Sequence, residues 1–173
     1  MAESANALAP KMTGVNRLID WAAQKVNPTW FPTSARTLFE TVQGNRDPIT
    51  ETNFSPAELD VMRQLIESTG DRGHVQYADY INFMKKQQQE KGTIPASMTP
   101  SMLSILDPIG NVQNTLGRFT YSRDSQGNLI VVDSYDFNKQ GPSTSSVIGA
   151  IRDYASEKIP PGSGRQVNIN LGR

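Results

Sequence analysis

The segment from Leu116 to Asn138, LGRFTYSRDSQGNLIVVDSYDFN, has the pattern of a β-hairpin. Apolar and polar residues alternate from Gly117 to Tyr121, and the run from Leu129 to Val132 is rich in β-branched side chains. Both patterns are typical of strands. Gly127 and Asn128 tolerate positive φ angles, so the residues between the two runs predict a hairpin loop longer than two residues.

Three polar side chains near the end of the second predicted strand form the candidate site. These are Asp133, Tyr135 and Asp136. Because strand side chains alternate between faces, Asp133 and Tyr135 share one face, and Asp136 joins them only if the chain bends. Two carboxylates can hold a hard divalent cation on a phosphate, or one can act as a base if the other raises its pKa. The pattern therefore marks Asp133, Tyr135 and Asp136 as candidate catalytic residues.

The same three residues also have a purely structural interpretation. Asp133 and Asp136 can cap the turn that follows the strand. Tyr135 can pack beneath a helix, with its hydroxyl bonded to the backbone. The residues alone leave both interpretations open.

Composition restricts the classes of function. The chain has 173 residues, of which 36% are hydrophobic and 20% charged, so it can form one modest core or one compact domain with an extended arm. Lys plus Arg and Asp plus Glu each total 17, so no global positive field predicts nucleic-acid binding. There are no cysteines, which excludes disulfides and thiolate metal ligands. The sequence has no apolar run of about 18 residues, which a membrane span would need. It also shows no secretory signal pattern.

The N-terminal half is predicted to be helical, with short extended pieces. Apolar residues recur at helical spacing in three segments: Gly14 to Val26, Ser34 to Val42 and Asp79 to Gln89. Ser55, Pro56 and Glu58 form the pattern of a capping box, which predicts a helix that ends at Gly70. The extended piece from His74 to Tyr77 is too short to form a strand by itself.

A candidate linker, rich in Gln, Lys, Gly, Thr, Pro and Ser, runs from Gln87 to Pro100. Beyond it, helices are predicted from Thr99 to Leu106, ending before Asp107-Pro108, and from Val147 to Lys158, and a final strand from Arg165 to Leu171. The hairpin, one packed helix and the final strand make a small antiparallel unit. The predicted fold class is therefore α+β, with a helical N-terminal region over residues 1–97 and an α+β unit over residues 98–173.

Two loops have residues in common with calcium loops, and turns explain both. A calcium loop needs oxygen ligands at alternating positions and a closing Glu, whereas Gly70 to His74 offers a single carboxylate. The loop from Asp124 to Asn128 consists of residues that suit a hairpin. His74 has no second His or Cys near it in the sequence, so we expect a surface or partly packed histidine. The residues alone predict no metal site and no cofactor.

The C-terminal third of the chain resembles the activity domain of the colicin M family. The resemblance rests on Leu116-Gly117, the strand after it, the sequence DSYDFN at 133–138, a helix, and a final strand ending in Leu171-Gly172. That bacteriocin family uses magnesium to hydrolyse lipid II between the undecaprenyl chain and the pyrophosphate. Its DxYD motif falls on Asp133, Tyr135 and Asp136 of this chain. The resemblance therefore implies a Mg²⁺-dependent phosphodiesterase whose motif residues are these three.

This chain departs from the family pattern after the motif. The family has His-Arg shortly after DxYD, whereas Pro142 and Ser143 stand at those positions and no His follows His74. Hydrolysis needs a proton donor for the leaving group and a cation against the developing charge. Four arginines are candidates for that cation, if the fold brings one to the motif: Arg118, Arg123, Arg152 and Arg165.

The same segments also resemble phage-encoded virion and tail-associated proteins, in which the stretch from Ser55 to Tyr80 belongs to the same chain. This resemblance implies a structural component of a bacteriophage particle, in the tail, the neck or the interior, with a degenerate colicin-M-like module. Such a protein is made in the bacterial cytoplasm and resides in the virion. The alternative is a lipid II phosphodiesterase, either bacteriocin-like or delivered by a phage. Because the His-Arg pair is absent, the structural hypothesis is preferred and enzymatic activity is not expected.

Contacts with partners are expected in the N-terminal region. The arm from Met1 to Lys11 is too polar to fold by itself, and Trp30 and Phe31 form an apolar cluster that needs a cover. Trp is enriched among residues that dominate interface energies. The chain is therefore expected to be an oligomer or assembly subunit that binds other phage structural proteins.

Overall fold

A computed structural model of the chain describes residues 32–92, 107–135, 154–159 and 162–173. Its helices are α1 (Thr33–Val42), α2 (Pro56–Thr69), α3 (Tyr77–Lys91) and α4 (Pro108–Leu116). Its strands are β1 (His74–Val75), β2 (Phe119–Arg123), β3 (Leu129–Tyr135) and β4 (Arg165–Asn170). Residues 154–158 are also helical, and short 3-10 helices span Glu51–Asn53 and Gly70–Arg72. The predicted α+β class is confirmed.

The four strands form an antiparallel sheet in the order β1-β2-β3-β4. The predicted hairpin is confirmed, because Tyr121 pairs with Val131 and Arg123 pairs with Leu129. Strand β3 is longer than the predicted run and continues to Tyr135, since β4 pairs with it from Ile130 onwards. Asp133 and Tyr135 therefore lie within the sheet rather than beyond it.

Residues of the N-terminal half extend the sheet at both edges. His74 and Val75, which are too few to form a strand alone, pair with Thr120 and Phe119 of β2. At the other edge, Ile49 forms a parallel bridge with Val167, and its amide donates to the carbonyl of Gln166 at 2.8 Å. The sheet thus joins segments from both predicted regions of the chain.

The capping box before α2 is confirmed and also holds α1. The Ser55 hydroxyl accepts from the Glu58 amide at 3.3 Å, and Glu58 Oε2 accepts from the Ser55 amide at 2.7 Å. The same Oε2 accepts from the hydroxyl of Thr33, the first residue of α1, at 2.9 Å. The carboxylate of Glu58, which is 3% exposed, therefore links the N-termini of two helices.

One helix boundary differs from prediction, and one helix was not predicted. Helix α3 begins at Tyr77, two residues before the predicted start, because the Gln76 amide donates to the Asp79 carboxylate at 2.7 Å and caps the first turn. Helix α4 is not among the predicted helices. Asp107 caps it by accepting from the Gly110 amide at 2.8 Å, and the predicted helix that ends before Asp107 lies outside the described residues. Proline fits the first turn of a helix, where its missing N–H would have no partner.

One hydrophobic core lies between the sheet and helices α2, α3 and α4. It contains buried side chains that precede and follow the predicted boundary at 97 and 98, among them Ile49, Met62, Leu65, Tyr80, Val112, Phe119, Val131, Val167 and Ile169. The boundary itself falls in 93–106, outside the described residues. A smaller cluster joins Leu38 and Val42 of α1 to Ala155 and Ile159.

Several predictions concern residues that the structure does not describe. These are the arm Met1 to Lys11, the helix Gly14 to Val26, Trp30, Phe31, the helix Thr99 to Leu106, the first part of the helix Val147 to Lys158, Asp136, Pro142, Ser143 and Arg152. No helix in the described part of the chain is long and apolar enough to cross a membrane.

Candidate functional site

Strand β3 carries the two described residues of the motif. Asp133 pairs with Val167 and Tyr135 pairs with Arg165, both on β4. Side chains alternate along the strand, and Val131 and Tyr135 are buried whereas Val132 is 48% exposed. Asp133 and Tyr135 therefore share the core face of the sheet, as predicted. Asp136, the third predicted site residue, lies outside the described residues.

Tyr135 is a core residue at the junction of β3, β4 and α1. It is 4% exposed, and Arg165 opposite it is 2% exposed. Arg165 Nη1 lies 3.0 Å from Glu40 Oε2 of α1, and Arg165 Nε donates to the Asp47 carbonyl at 2.7 Å. Burial raises the pKa of the Tyr135 phenol well above its ordinary value, while the nearby Arg165 charge opposes the rise. The phenol is therefore protonated at neutral pH and lies away from solvent.

Asp133 lines an open cleft of about 280 Å³ at one end of the sheet. The residues around this cleft include His74, Gln76, Arg118 and Thr120. The fold thus brings a histidine and an arginine to the cleft that Asp133 lines, although the chain has no His-Arg pair after its motif. Sequence reasoning counted Arg118 among four candidates but missed His74, because only the pairing of β1 with β2 places His74 there.

The side chains of His74 and Asp133 point to opposite faces of the sheet. Thr120 pairs with both His74 and Val132, and Asp133 is the next residue after Val132. Successive strand residues point to opposite faces, so His74 and Asp133 point to opposite faces of the sheet. Because both line the cleft, the cleft is open to both faces at this end of the sheet. The imidazole and the carboxylate therefore do not lie side by side on one face of the sheet.

Local contacts occupy both ring nitrogens of His74. Its Nδ1 lies 3.1 Å from the Arg72 carbonyl and its Nε2 lies 3.1 Å from the Gln76 side-chain nitrogen. The tautomer that satisfies both contacts donates from Nδ1 and accepts at Nε2. His74 would have to give up one of these contacts before it could protonate a leaving group.

Tyr80 supports the turn that carries Arg118. Its hydroxyl donates to the Gly117 carbonyl at 2.7 Å, and its side chain is fully buried. Burial raises the pKa of Tyr80, and the neighbouring Tyr77 and Asp133 raise it further. The neutral phenol is therefore a fixed donor that holds the α4–β2 turn in place.

The remaining candidates do not meet Asp133 in the described structure. Arg165 is paired with Glu40, and Arg123 lines a different cleft, described below. Arg152 is outside the described residues. In the segments that the structure describes, no group of three or more His, Cys, Asp or Glu side chains is arranged to hold a metal ion. Asp133 is the described motif carboxylate that could contribute to binding Mg²⁺.

Comparisons of the chain with protein-family models, curated proteins and solved structures found no match.

Proposed function

We propose that this chain is a structural component of a bacteriophage particle that binds neighbouring subunits, with its colicin-M-like segment serving as a folding module. The observation that carries the proposal is the burial of Tyr135 against Arg165. The motif tyrosine lies buried opposite Arg165, away from solvent, and this position supports a structural role for it. The bacteriophage setting rests on the sequence resemblance.

Exposed apolar side chains on α3 support the subunit-binding part of the proposal. Tyr77 is 51% exposed and Ile81 is 46% exposed, and the two lie one turn apart on the same helix face. Aromatic side chains are enriched at protein contact surfaces, and Ile81 adds apolar area beside Tyr77. We call Tyr77 and Ile81 the α3 apolar pair and assign it to contact with a neighbouring subunit of the particle.

Protein analysis of purified particles tests the proposal. Particles of the phage that encodes this chain are purified through two density gradients, treated with protease to remove loosely attached protein, and analysed by mass spectrometry. We expect the chain at a fixed ratio to the major structural proteins. Its absence from protease-treated particles, together with its accumulation in infected cells, would refute the proposal.

The cleft beside Asp133 favours a second candidate, the lipid II phosphodiesterase. Arg118 supplies a cation at this cleft, and His74 lines it from the other face of the sheet. In that function Asp133 would help to hold Mg²⁺ and Arg118 would bind a phosphate oxygen.

A direct assay separates the two candidates. The purified chain is incubated with lipid II and magnesium, and release of undecaprenol is measured. The enzymatic candidate predicts release that is lost in Asp133→Asn and Arg118→Gln and kept in Arg46→Gln, whose side chain donates to the Thr41 carbonyl and does not line this cleft. The structural proposal predicts no release from any of these proteins.

A further inference from the structure

A second cleft of about 300 Å³ lies where β2 passes the end of α2 and the last residues of the chain. We propose that this cleft binds a small phosphorylated molecule of the nucleoside monophosphate class. The inference does not depend on the function proposed above, because the cleft includes neither Asp133 nor Tyr135. It rests on the charges and shape of the cleft.

Three arginines line this cleft, and backbone carbonyls hold each of them. Arg63 donates from Nε and Nη2 to the Leu171 carbonyl at 3.0 and 2.6 Å. Arg123 Nη1 donates to the Gly127 carbonyl at 3.0 Å, and Arg173 Nε donates to the Gln126 carbonyl at 3.1 Å. A carbonyl orients a guanidinium without cancelling its charge, and each guanidinium keeps further N–H donors.

None of the three arginines pairs with a carboxylate in the described part of the chain. A guanidinium presents parallel N–H donors that match the oxygens of a phosphate. Because the arginines are already oriented, a ligand does not have to bear the full cost of ordering three long side chains. The three guanidiniums therefore define the part of the cleft that takes the phosphoryl group.

Two carboxylates on the α2 side of the cleft narrow the class of ligand. Glu67 and Asp71 line it together with the three arginines, so these side chains carry a net charge of +1 (three positive minus two negative). This balance favours one phosphoryl group over a polyanion. Carboxylates accept hydrogen bonds from sugar hydroxyls, as an acidic residue does for ribose in dinucleotide-binding folds.

Apolar side chains complete the cleft. Ile66, Tyr121 and Leu129 line it, and the Tyr121 hydroxyl is held by donation to the Gly70 carbonyl at 2.6 Å. A fixed aromatic ring beside two aliphatic side chains suits a planar base. A volume of about 300 Å³ is at the lower end of the range of small-molecule sites. The cleft thus offers contacts for a phosphate, a sugar and a base.

Calorimetric titration of the full chain with AMP and with adenosine tests the proposal. We expect AMP to bind and adenosine to bind at least about tenfold more weakly, because adenosine lacks the phosphoryl group. The double variant Arg123→Gln/Arg173→Gln should weaken AMP binding by at least about tenfold. Arg63 is left unchanged because its two hydrogen bonds to the Leu171 carbonyl are partly buried, whereas the carbonyl contacts of Arg123 and Arg173 are exposed.

A variant with the same loss of charge elsewhere serves as the control. Lys85→Gln/Lys86→Gln removes two exposed positive charges from α3 and should leave AMP binding unchanged. Thermal unfolding checks that both double variants are folded. The proposal is overturned if AMP does not bind at millimolar concentration, if adenosine binds as tightly as AMP, or if the two double variants weaken AMP binding equally.

Discussion

Tyr135 and Arg165 lie directly opposite each other on β3 and β4, and both side chains are buried. Arg165 also forms an ion pair with Glu40 of α1. It donates a hydrogen bond to the carbonyl of Asp47, two residues before the bridge at Ile49. The tyrosine of the motif therefore lies where the sheet meets the N-terminal half of the chain. This position gives the tyrosine of the DSYD sequence a structural role in the fold.

Replacement of Arg165 by Met should destabilise the protein. It leaves the Asp47 carbonyl and the Glu40 carboxylate without their partner, and because Glu40 is 24% exposed we expect a loss of about 2–3 kcal/mol, below the range for a fully buried pair. Urea unfolding measures the loss. Glu40→Gln keeps an acceptor for Arg165 and should cost less. A stability of Arg165→Met within about 0.5 kcal/mol of wild type would contradict this role.

Loss of the Glu58 carboxylate should lower the free energy of unfolding more than loss of the Ser55 hydroxyl. Ser55→Ala removes one cap contact and should cost about 1 kcal/mol. Glu58→Ala leaves both the Ser55 amide and the Thr33 hydroxyl without an acceptor. We therefore expect the free energy of unfolding to fall by about 2–3 kcal/mol. Chemical unfolding of the two variants gives the comparison. Equal losses would show that the contact with Thr33 contributes nothing.

The hairpin loop around Asp124 should become less stable at low pH. The Asn128 side chain, with the amides of Asn128, Gln126 and Gly127, lowers the pKa of the Asp124 carboxyl below its ordinary value of 3.8. A pKa lowered in the folded state stabilises the loop above the unfolded pKa, and this contribution is lost as the pH falls through the folded pKa.

NMR titration of the Asp124 carboxyl measures this effect. We expect a midpoint below 3.8 in the wild type and a rise towards that value in Asn128→Ala, which removes the largest cause of the shift. Amide exchange in the loop should accelerate over the same pH interval. An Asp124 midpoint that does not change in Asn128→Ala would show that the side-chain contact does not hold the loop.

Local patterns explain the parts of the fold that the sequence predicts well. The hairpin is predictable because alternation and β-branched residues flank residues suited to a turn. Helix α2 is predictable because Ser55, Pro56 and Glu58 fall within four consecutive residues of the chain. The shared face of Asp133 and Tyr135 follows from the two-residue period of a strand.

Contacts between distant segments explain what the sequence did not predict. His74 and Val75 become a strand only because Thr120 and Phe119 lie beside them, and this pairing places His74 at the cleft of Asp133. The Ile49 bridge and the Arg165–Glu40 pair likewise join residues separated by more than a hundred positions. Periodicity and capping patterns describe neighbours in the chain and carry no information about such pairs.

The incorporation of two variants into phage particles tests the structural proposal most directly. Tyr77→Ser/Ile81→Ser changes the exposed α3 apolar pair, and Asp133→Asn changes the motif carboxylate. Thermal unfolding first establishes that both are folded. We predict that the α3 variant is incorporated severalfold less than wild type, while Asp133→Asn particles have normal composition and infectivity. Normal incorporation of the α3 variant, together with Asp133→Asn particles that are complete but unable to infect, would contradict the proposal.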